Sequence, residues 1–137
     1  MAGEFLDTNV LIYAFTDDPR NQKAQELLGK GCVIGVQVLN EFTNVARRKL
    51  GMTWEELREA LSSILIVCPT VLPMDLEVHS DAIAIAERYD FRIFDALMIA
   101  SALRGGCEIL WSEDMQDGMV INGRLHIANP FRASWRA

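Results

Sequence analysis

The stretch Phe5-Leu6-Asp7-Thr8-Asn9-Val10-Leu11 places an acid between two apolar runs near the start of the chain. Two apolar residues precede an acid and two small polar residues, and a second apolar run follows at once. This pattern predicts a short buried strand that ends at Asp7 and a helix that begins directly after it. Open α/β sheets bind ligands at the carboxyl ends of their strands, so Asp7 is a candidate site residue. The alternative is that Asp7 or Thr8 only caps the helix, since both residue types are preferred there.

The composition is that of a globular chain. With 137 residues, half of them hydrophobic and 23% charged, we expect one domain over residues 1–137, with 129–137 as a C-terminal tail. No apolar run is long enough to cross a bilayer, and the N-terminus has no cleavable signal pattern. The isolated Cys32, Cys68 and Cys107 suggest neither a disulfide framework nor a zinc site. These features predict a cytoplasmic protein without membrane association.

The net charge of −6 leaves several functions open. It argues against broad nucleic-acid binding, which depends on neutralisation of phosphates by Lys and Arg. An acidic metal pocket would produce the same charge, and the charge would also suit a basic protein partner. Charge alone therefore does not decide the function.

Helical and strand patterns alternate along the chain. Apolar periodicity predicts helices over 21–28, 38–50, 54–65, 76–89 and 96–103. Short apolar runs between turn signals predict strands over 32–36, 108–111, 119–121 and 125–127, and a short edge strand or extended connection over 66–72. This alternation indicates an α/β fold with a mainly parallel sheet.

Local signals mark several element ends. Thr53 followed by Glu56 forms a capping box, and Asp75 and Asp95 are N-cap candidates for the helices that follow them. Asn122-Gly123 predicts a tight hairpin turn. The helix after Asp95 is apolar nearly all round, which is typical of a buried helix.

Four acids suggest a chemistry when they are considered together. We place Asp7, Asp95 and Asp114 at strand–helix junctions and Glu41 in the first turn of the helix after the second strand. Each acid alone also fits an ordinary cap or boundary residue. Junctions in a parallel sheet share one edge, so the four carboxylates can converge, and a divalent cation would relieve their repulsion. Oxygen ligands favour Mg²⁺ or Mn²⁺ over zinc, and such an ion supports phosphodiester hydrolysis.

The stretches that contain these four acids resemble the motifs of a known family. The stretches Phe5–Leu11, Asn40-Glu41-Phe42, Phe94–Ala100 and Trp111–Asp114 resemble the acidic motifs of PIN-domain nucleases, above all the VapC-type toxins of toxin–antitoxin pairs. Asn129-Pro130-Phe131 is similar to the end of many members. The resemblance implies a PIN-like three-layer α/β/α sandwich with a central, mainly parallel sheet. It also implies a Mg²⁺- or Mn²⁺-dependent endoribonuclease acting on single-stranded or loop RNA.

The resemblance also implies roles for the acids. By motif match, Asp7 and Asp95 are the main metal ligands, and Glu41 and Asp114 complete the site directly or through water. Asp117 is a further acid near Asp114, and the sequence leaves open which of the two faces the metal. Supporting positions are Thr8, Asn9 and Ser112.

The resemblance further implies partners. Family members usually form homodimers and are inhibited by a small antitoxin protein whose basic or aromatic tail enters the acidic pocket. The target RNA would be selected by groove shape and by surface residues. The candidates for RNA contact are Arg20, Arg47 and Arg48, together with Trp54 and Trp135.

The sequence disfavours two other functions and leaves a third open. A phosphatase with an Asp nucleophile resembles Asp-x-Asp followed by a later Lys, whereas this chain has Asp7-Thr8-Asn9 and no Lys after Lys49. A phospho-acceptor signalling domain is disfavoured for the same missing Lys. A non-catalytic PIN-like module that binds RNA or protein stays open, because a fold does not by itself imply an activity.

Overall fold

A computed structural model describes residues 3–132 of the chain. The helices are Thr8–Ala14 (α1), Asn21–Leu28 (α2), Val36–Arg48 (α3), Trp54–Val67 (α4), Leu76–Tyr89 (α5) and Ile93–Arg104 (α6). The strands are Glu4–Leu6 (β1), Ile34–Gly35 (β2), Val71–Leu72 (β3), Ile109–Trp111 (β4), Val120–Ile121 (β5) and Leu125–Ala128 (β6).

The strands form a mainly parallel sheet. Strands β1, β4, β6 and β5 lie side by side in that order, and only β5 runs antiparallel to its neighbour. Strand β2 pairs in parallel with β3, and a parallel bridge between Phe5 and Val33 joins this pair to β1. The resulting order is β3-β2-β1-β4-β6-β5. The predicted α/β class with a mainly parallel central sheet is therefore confirmed.

The central strands and one helix form the core. Phe5 and Leu6 of β1 and Leu110 of β4 are completely buried, as expected for parallel strands that are covered on both faces. Helix α6 packs against α5, β2 and β4, and all its residues from Ala96 to Ala102 are buried. Its apolar character all round therefore predicted its burial correctly.

Several predicted end signals are confirmed. Thr53 and Glu56 make both hydrogen bonds of the capping box, at 3.1 and 2.8 Å, and Asp75 Oδ1 accepts the Val78 N–H at 2.9 Å. Asn122 and Gly123 both have positive φ, of 52° and 68°, as the tight turn between β5 and β6 requires. These end signals could be recognised in the sequence because each depends only on residues a few positions apart.

Three predicted boundaries are wrong. Val36 belongs to helix α3 rather than to the preceding strand, because Gly35 is the N-cap. Ile66 and Val67 continue α4 instead of forming an extended segment. Helix α6 begins at Ile93 with Arg92 as its N-cap, so Asp95 is not the cap but an acid in the first turn.

The first part of the expected C-terminal tail makes contacts with the rest of the fold. Asn129 donates its backbone N–H to Asp117 Oδ1 at 2.8 Å, Pro130 is buried, and the Phe131 ring contacts Tyr13 edge-on at 5.3 Å. Residues 129–132 are thus packed onto the fold. Residues 133–137, with Trp135, lie outside the described residues.

Helix hydrophobicity and thiol burial are two further properties of the described residues. Between residues 3 and 132, no helix is both long enough and apolar enough to cross a membrane. The three cysteines are buried and unbridged, and burial raises the pKa of Cys32 to about 12 and those of Cys68 and Cys107 to about 11. Thiols in this state are poor nucleophiles.

Candidate active site

Four acids from separate parts of the chain line one cavity of about 240 Å³. Asp7 caps helix α1 after strand β1, and Glu41 lies in α3, which follows β2. Asp95 lies in the first turn of α6, and Asp114 lies in the loop after β4. Asp95 follows a helix rather than a strand, which corrects the expected strand–helix junction. The four acids nevertheless border the same space.

Asp7 is the buried member of this group, with only 6% of its surface exposed. The Thr8 N–H donates to Oδ1 at 2.7 Å, and the Ser112 hydroxyl donates to Oδ2 at 2.7 Å. Ser112 is itself completely buried, and its oxygen accepts the Met115 N–H at 3.2 Å. Two neighbouring strand ends therefore hold one carboxylate in place.

The surroundings of Asp7 disfavour its charged form. Burial raises the pKa of Asp7 to about 6, the hydrogen bonds from Ser112 and Thr8 offset part of that rise, and the charges of Glu41 and Asp95 add to it. A cation in the cavity would offset both the cost of burying the Asp7 charge and the repulsion of that charge by Glu41 and Asp95. The electrostatics of the cavity thus favour a positively charged ligand.

Asn9 connects the first motif to the last. Its amide nitrogen donates to Asp114 Oδ2 at 3.1 Å and approaches Asp7 Oδ2 at 3.4 Å. Its amide oxygen accepts the Glu113 N–H at 3.3 Å. This side chain therefore fixes the loop after β4 relative to α1.

Glu41 is held by two donors. The Thr8 hydroxyl donates to Oε1 at 3.0 Å, and Gln37 donates to Oε2 at 3.1 Å. Sequence reasoning missed Gln37. Its position four residues before Glu41 on one helix was the available signal, since such residues lie on the same face.

Arg92 and Phe94 also line the acid cavity, and sequence reasoning missed these two positions as well. Arg92 lies 3.4 Å from Asp95 Oδ2, but its side chain is 83% exposed, so this ion pair contributes little stability. The Phe94 side chain is 59% exposed. The signal in the sequence was an aromatic residue directly before Asp95, within the motif Phe94–Ala100.

Asp117 does not line the cavity. Its carboxylate accepts the Asn129 N–H at 2.8 Å and lies 3.3 Å from Arg132 Nη1. Of the two acids left open by the sequence, Asp114 is the one that borders the cavity. Asp117 instead anchors the start of the C-terminal segment.

The arginines proposed from sequence for RNA contact differ in their availability. Arg20 pairs with Asp18 at 2.7 Å and Glu113 at 2.8 Å and lies over the Tyr13 ring. Arg47 donates to the Met52 carbonyl at 2.6 Å and lies over the exposed Trp54 ring. Arg48 is exposed but lines neither the acid cavity nor the larger cavity that adjoins it.

A second cavity, of about 660 Å³, continues the acid cavity along helix α3. We call it the α3 groove. The two spaces share four lining residues, which are Thr8, Asn9, Glu41 and Asp114. Other residues of the groove include Tyr13, Gln37, Asn40, Asn44 and Lys49.

The donor set can be compared with the needs of different metals. Among residues 3–132, no three carboxylate, imidazole or thiol side chains are grouped closely enough to form a complete metal site. Mg²⁺ usually binds through one or two carboxylates and keeps several waters, which suits acids that border a shared cavity. The lining contains neither His nor Cys, so it does not suit zinc.

Solved structures share this fold. A toxin–antitoxin complex from Klebsiella pneumoniae matches with a TM-score of 0.72 at 18% identity, over 93% of this chain and 98% of that one. DNA-bound VapBC from Salmonella typhimurium matches with a TM-score of 0.68 at 18% identity, over 95% and 99%. VapC20 of Mycobacterium tuberculosis, described as a sarcin–ricin loop cleaving toxin, matches with a TM-score of 0.64 at 20% identity, over 81% and 89%.

Sequence comparison identifies the family. No curated protein matched the chain. The family model of the PIN domain, however, matches residues 5–116, a span that begins in β1 and includes all four acids of the cavity. The match covers most of the chain, and the fold agrees with it, so the chain belongs to the PIN domain family.

Proposed function

We propose that this protein is a metal-dependent endoribonuclease that hydrolyses RNA phosphodiester bonds, and that it is the toxin of a toxin–antitoxin pair. One observation carries the proposal. Four carboxylates line a single cavity, and the most buried of them, Asp7, has a pKa raised to about 6. A perturbed buried acid in a cleft is typical of a functional site.

The residues that would hold the metal are Asp7, Asp95 and Asp114, with Glu41 completing the site directly or through water. Mg²⁺ or Mn²⁺ fits these oxygen donors. When bound, such an ion polarises the phosphoryl oxygen, lowers the pKa of the attacking water and neutralises developing charge.

The chain's own contribution is to orient these acids. Ser112 and the Thr8 N–H fix the two oxygens of Asp7, and Asn9 positions Asp114. The Thr8 hydroxyl and Gln37 fix the two oxygens of Glu41. Because these donors come from the fold itself, the carboxylates need little rearrangement when a substrate arrives.

The proposal includes protein partners and a cytoplasmic location. The solved complexes from Klebsiella and Salmonella are a toxin–antitoxin complex and a VapBC complex, which supports an antitoxin for this chain. The acidic cavity and the net charge of −6 suit a basic inhibitory segment. The homodimer that the family resemblance implies is also part of the proposal, and exposed apolar side chains such as Ile66, Leu76 and Ile83, between 50% and 78% exposed, are compatible with it.

Cleavage of RNA tests the proposed function. The purified chain, free of partner, is incubated with a pool of structured RNAs in Mg²⁺, in Mn²⁺ and in EDTA. We expect cleavage that depends on the metal and that Asp95→Asn abolishes. Asp90→Asn is the matched control, because Asp90 is exposed, lies outside the acid cavity and has φ 59°, a conformation that Asn tolerates. Equal activity of Asp95→Asn and the control would refute the proposed site.

A binding-only PIN module is the second candidate. It is favoured by the finding that, among residues 3–132, no three potential ligands are grouped as a ready metal site. Calorimetric titration with Mn²⁺ separates the two candidates. Binding that Asp95→Asn weakens supports the nuclease, whereas absence of both binding and cleavage supports the module.

A further inference from the structure

The α3 groove presents polar side chains beside the acid cavity. Asn40 and Asn44 lie four residues apart on α3, and Lys49 follows at the end of that helix. At about 1.5 Å per residue, Lys49 lies about 12 Å along the helix from Glu41. The groove therefore leads from the acids to a cation over a distance greater than one nucleotide of a single strand.

The polar groups of this groove are available for a ligand. Within the described part of the chain, the side-chain amides of Asn40 and Asn44 have no hydrogen-bond partner, and Lys49 has no ion pair. Gln37, on the same helix face, is instead bound to Glu41. Arg20 and Arg47 are engaged by carboxylates or a backbone carbonyl. Two amides and one ammonium group in a single groove therefore have no hydrogen-bond or ion-pair partner within the described part of the chain.

The chemistry of these groups matches an unpaired nucleotide. An Asn amide carries a donor and an acceptor side by side, which matches the hydrogen-bonding edge of a base. A Lys ammonium contacts a phosphate without regard to sequence. Unpaired bases in loops offer their edges to such groups, whereas the deep, narrow major groove of an RNA duplex hides them from side chains.

We propose that the α3 groove is a base-reading subsite for single-stranded RNA next to the scissile phosphate. In this assignment, Asn40 and Asn44 read base edges, and Lys49 contacts a backbone phosphate. The proposal rests on the proposed ribonuclease function and adds residues that determine which RNA is cut. The groove volume of about 660 Å³ lies within the usual range for a ligand site.

The Lys49 contact is tested by the salt dependence of binding. Fluorescently labelled single-stranded RNA oligonucleotides of randomised sequence are titrated with the Asp95→Asn protein in Mg²⁺. Adding Lys49→Ala is expected to weaken binding several-fold and to lower the slope of log affinity against log salt by about 0.7, as for one lost phosphate contact on a single strand. Arg58→Ala, an exposed cation in α4 that does not line the groove, is the control. Equal slopes for the two variants would overturn the Lys49 assignment.

The two asparagines are tested by cleavage preference. Asn40→Ala/Asn44→Ala is expected to reduce kcat/KM on the preferred RNA by roughly tenfold and to broaden the set of cleaved sequences, without changing the salt slope. Gln116→Ala removes an exposed amide outside the groove and serves as the control. Thermal melting and circular dichroism verify that each variant is folded.

The outcomes separate this inference from the proposed function. If the wild-type protein cleaves RNA and the double variant cuts the same sequences at the same rate, the base-reading subsite is wrong and the ribonuclease stands. If the wild-type protein cleaves no RNA in any metal, the proposed function fails.

Discussion

At the scale of single residues, Asp7 combines burial with a potential negative charge. Its pKa in the folded protein is about 6, compared with 3.8 for an ordinary Asp. The folded state therefore binds more protons than the unfolded state between these values, and the stability of the metal-free protein should decrease as the pH rises through that window. The difference corresponds to about 3 kcal/mol at neutral pH.

Asp7→Asn should remove this penalty. An amide can still accept the Thr8 N–H, and the Ser112 hydroxyl can reorient toward its NH₂ group. We expect the variant to be about 2–3 kcal/mol more stable than the wild-type protein near pH 7.5 and nearly equal to it near pH 4. Urea denaturation in EDTA at both pH values measures the difference. Asp90→Asn is the control, and a difference that does not change with pH would contradict the prediction.

Ser112→Ala tests the second contact of Asp7. The change removes the donor to Asp7 Oδ2 and the acceptor of the Met115 N–H, both within the core. Buried groups that lose their partners cost about 1–3 kcal/mol, so we expect a loss of that size in the free energy of unfolding. The loss should be larger above pH 6, where Asp7 is ionised. Ser62→Ala, at an exposed position in α4, should change stability by less than about 0.5 kcal/mol in the same urea titration.

The sequence predicted the acids and, through the family resemblance, the supporting Thr8, Asn9 and Ser112, but it did not predict Gln37 or Arg92. Asp7 and Asp114 stood out because each follows an apolar strand. Gln37 and Arg92 did not, because a polar residue in or beside the first turn of a helix is common whether or not it contacts an acid. Their proximity to Glu41 and Asp95 is set by how α3 and α6 meet the sheet, which is a tertiary property.

At the scale of elements, the side-chain caps of α4 and α5 allowed their starts to be predicted, whereas the starts of α3 and α6, which lack such a cap, were misplaced. Helices α4 and α5 begin at Thr53 and Asp75, whose side chains accept backbone N–H groups. Helices α3 and α6 follow Gly35 and Arg92, neither of which makes a side-chain cap bond. The start of α6 was therefore assigned to Asp95, an acid that the helix dipole also favours within the first turn.

The capping box of α4 gives a prediction at this scale. Thr53→Ala removes the acceptor of the Glu56 N–H, so we expect a loss of about 1 kcal/mol in the free energy of unfolding. Chemical denaturation measures it, with Ser63→Ala in the exposed interior of α4 as the control. RNA cleavage should not change, because neither Thr53 nor Ser63 lines the acid cavity. A loss of cleavage in a folded Thr53→Ala protein would contradict this separation of stability from activity.

At the scale of the whole molecule, the parallel sheet explains why distant acids meet. The order β2-β1-β4 places the segments after these three strands next to each other, so Glu41, Asp7 and Asp114 reach one edge. The alternation of elements predicted the fold class, but it does not encode the strand order. Asp95 arrives differently, through α6 packing across β2 and β4. The strand–helix junction predicted for Asp95 is wrong, so its place in the cavity is set by this packing and not by a strand end.

Binding of a divalent metal ion should depend on the titration of Asp7. A divalent ion must displace the proton from this carboxyl, so its apparent affinity should rise with pH until Asp7 is fully ionised. With a pKa of about 6, we expect the affinity for Mn²⁺ to be roughly tenfold weaker at pH 5 than at pH 8. Calorimetry in buffers of different ionisation enthalpy should also show proton release near pH 6.

Two variants test whether Asp7 is the group whose ionisation makes Mn²⁺ affinity depend on pH. Asp7→Asn should bind Mn²⁺ weakly and with little dependence on pH, because the titrating group is gone. Asp117→Asn should keep the wild-type pH profile, since that acid is bound to Asn129 and lies outside the cavity. If wild-type affinity were equal at pH 5 and pH 8, the ion would not be bound by Asp7. The metal would then have to be assigned to the more exposed acids at the cavity mouth, with Asp7 acting only as a buried cap of α1.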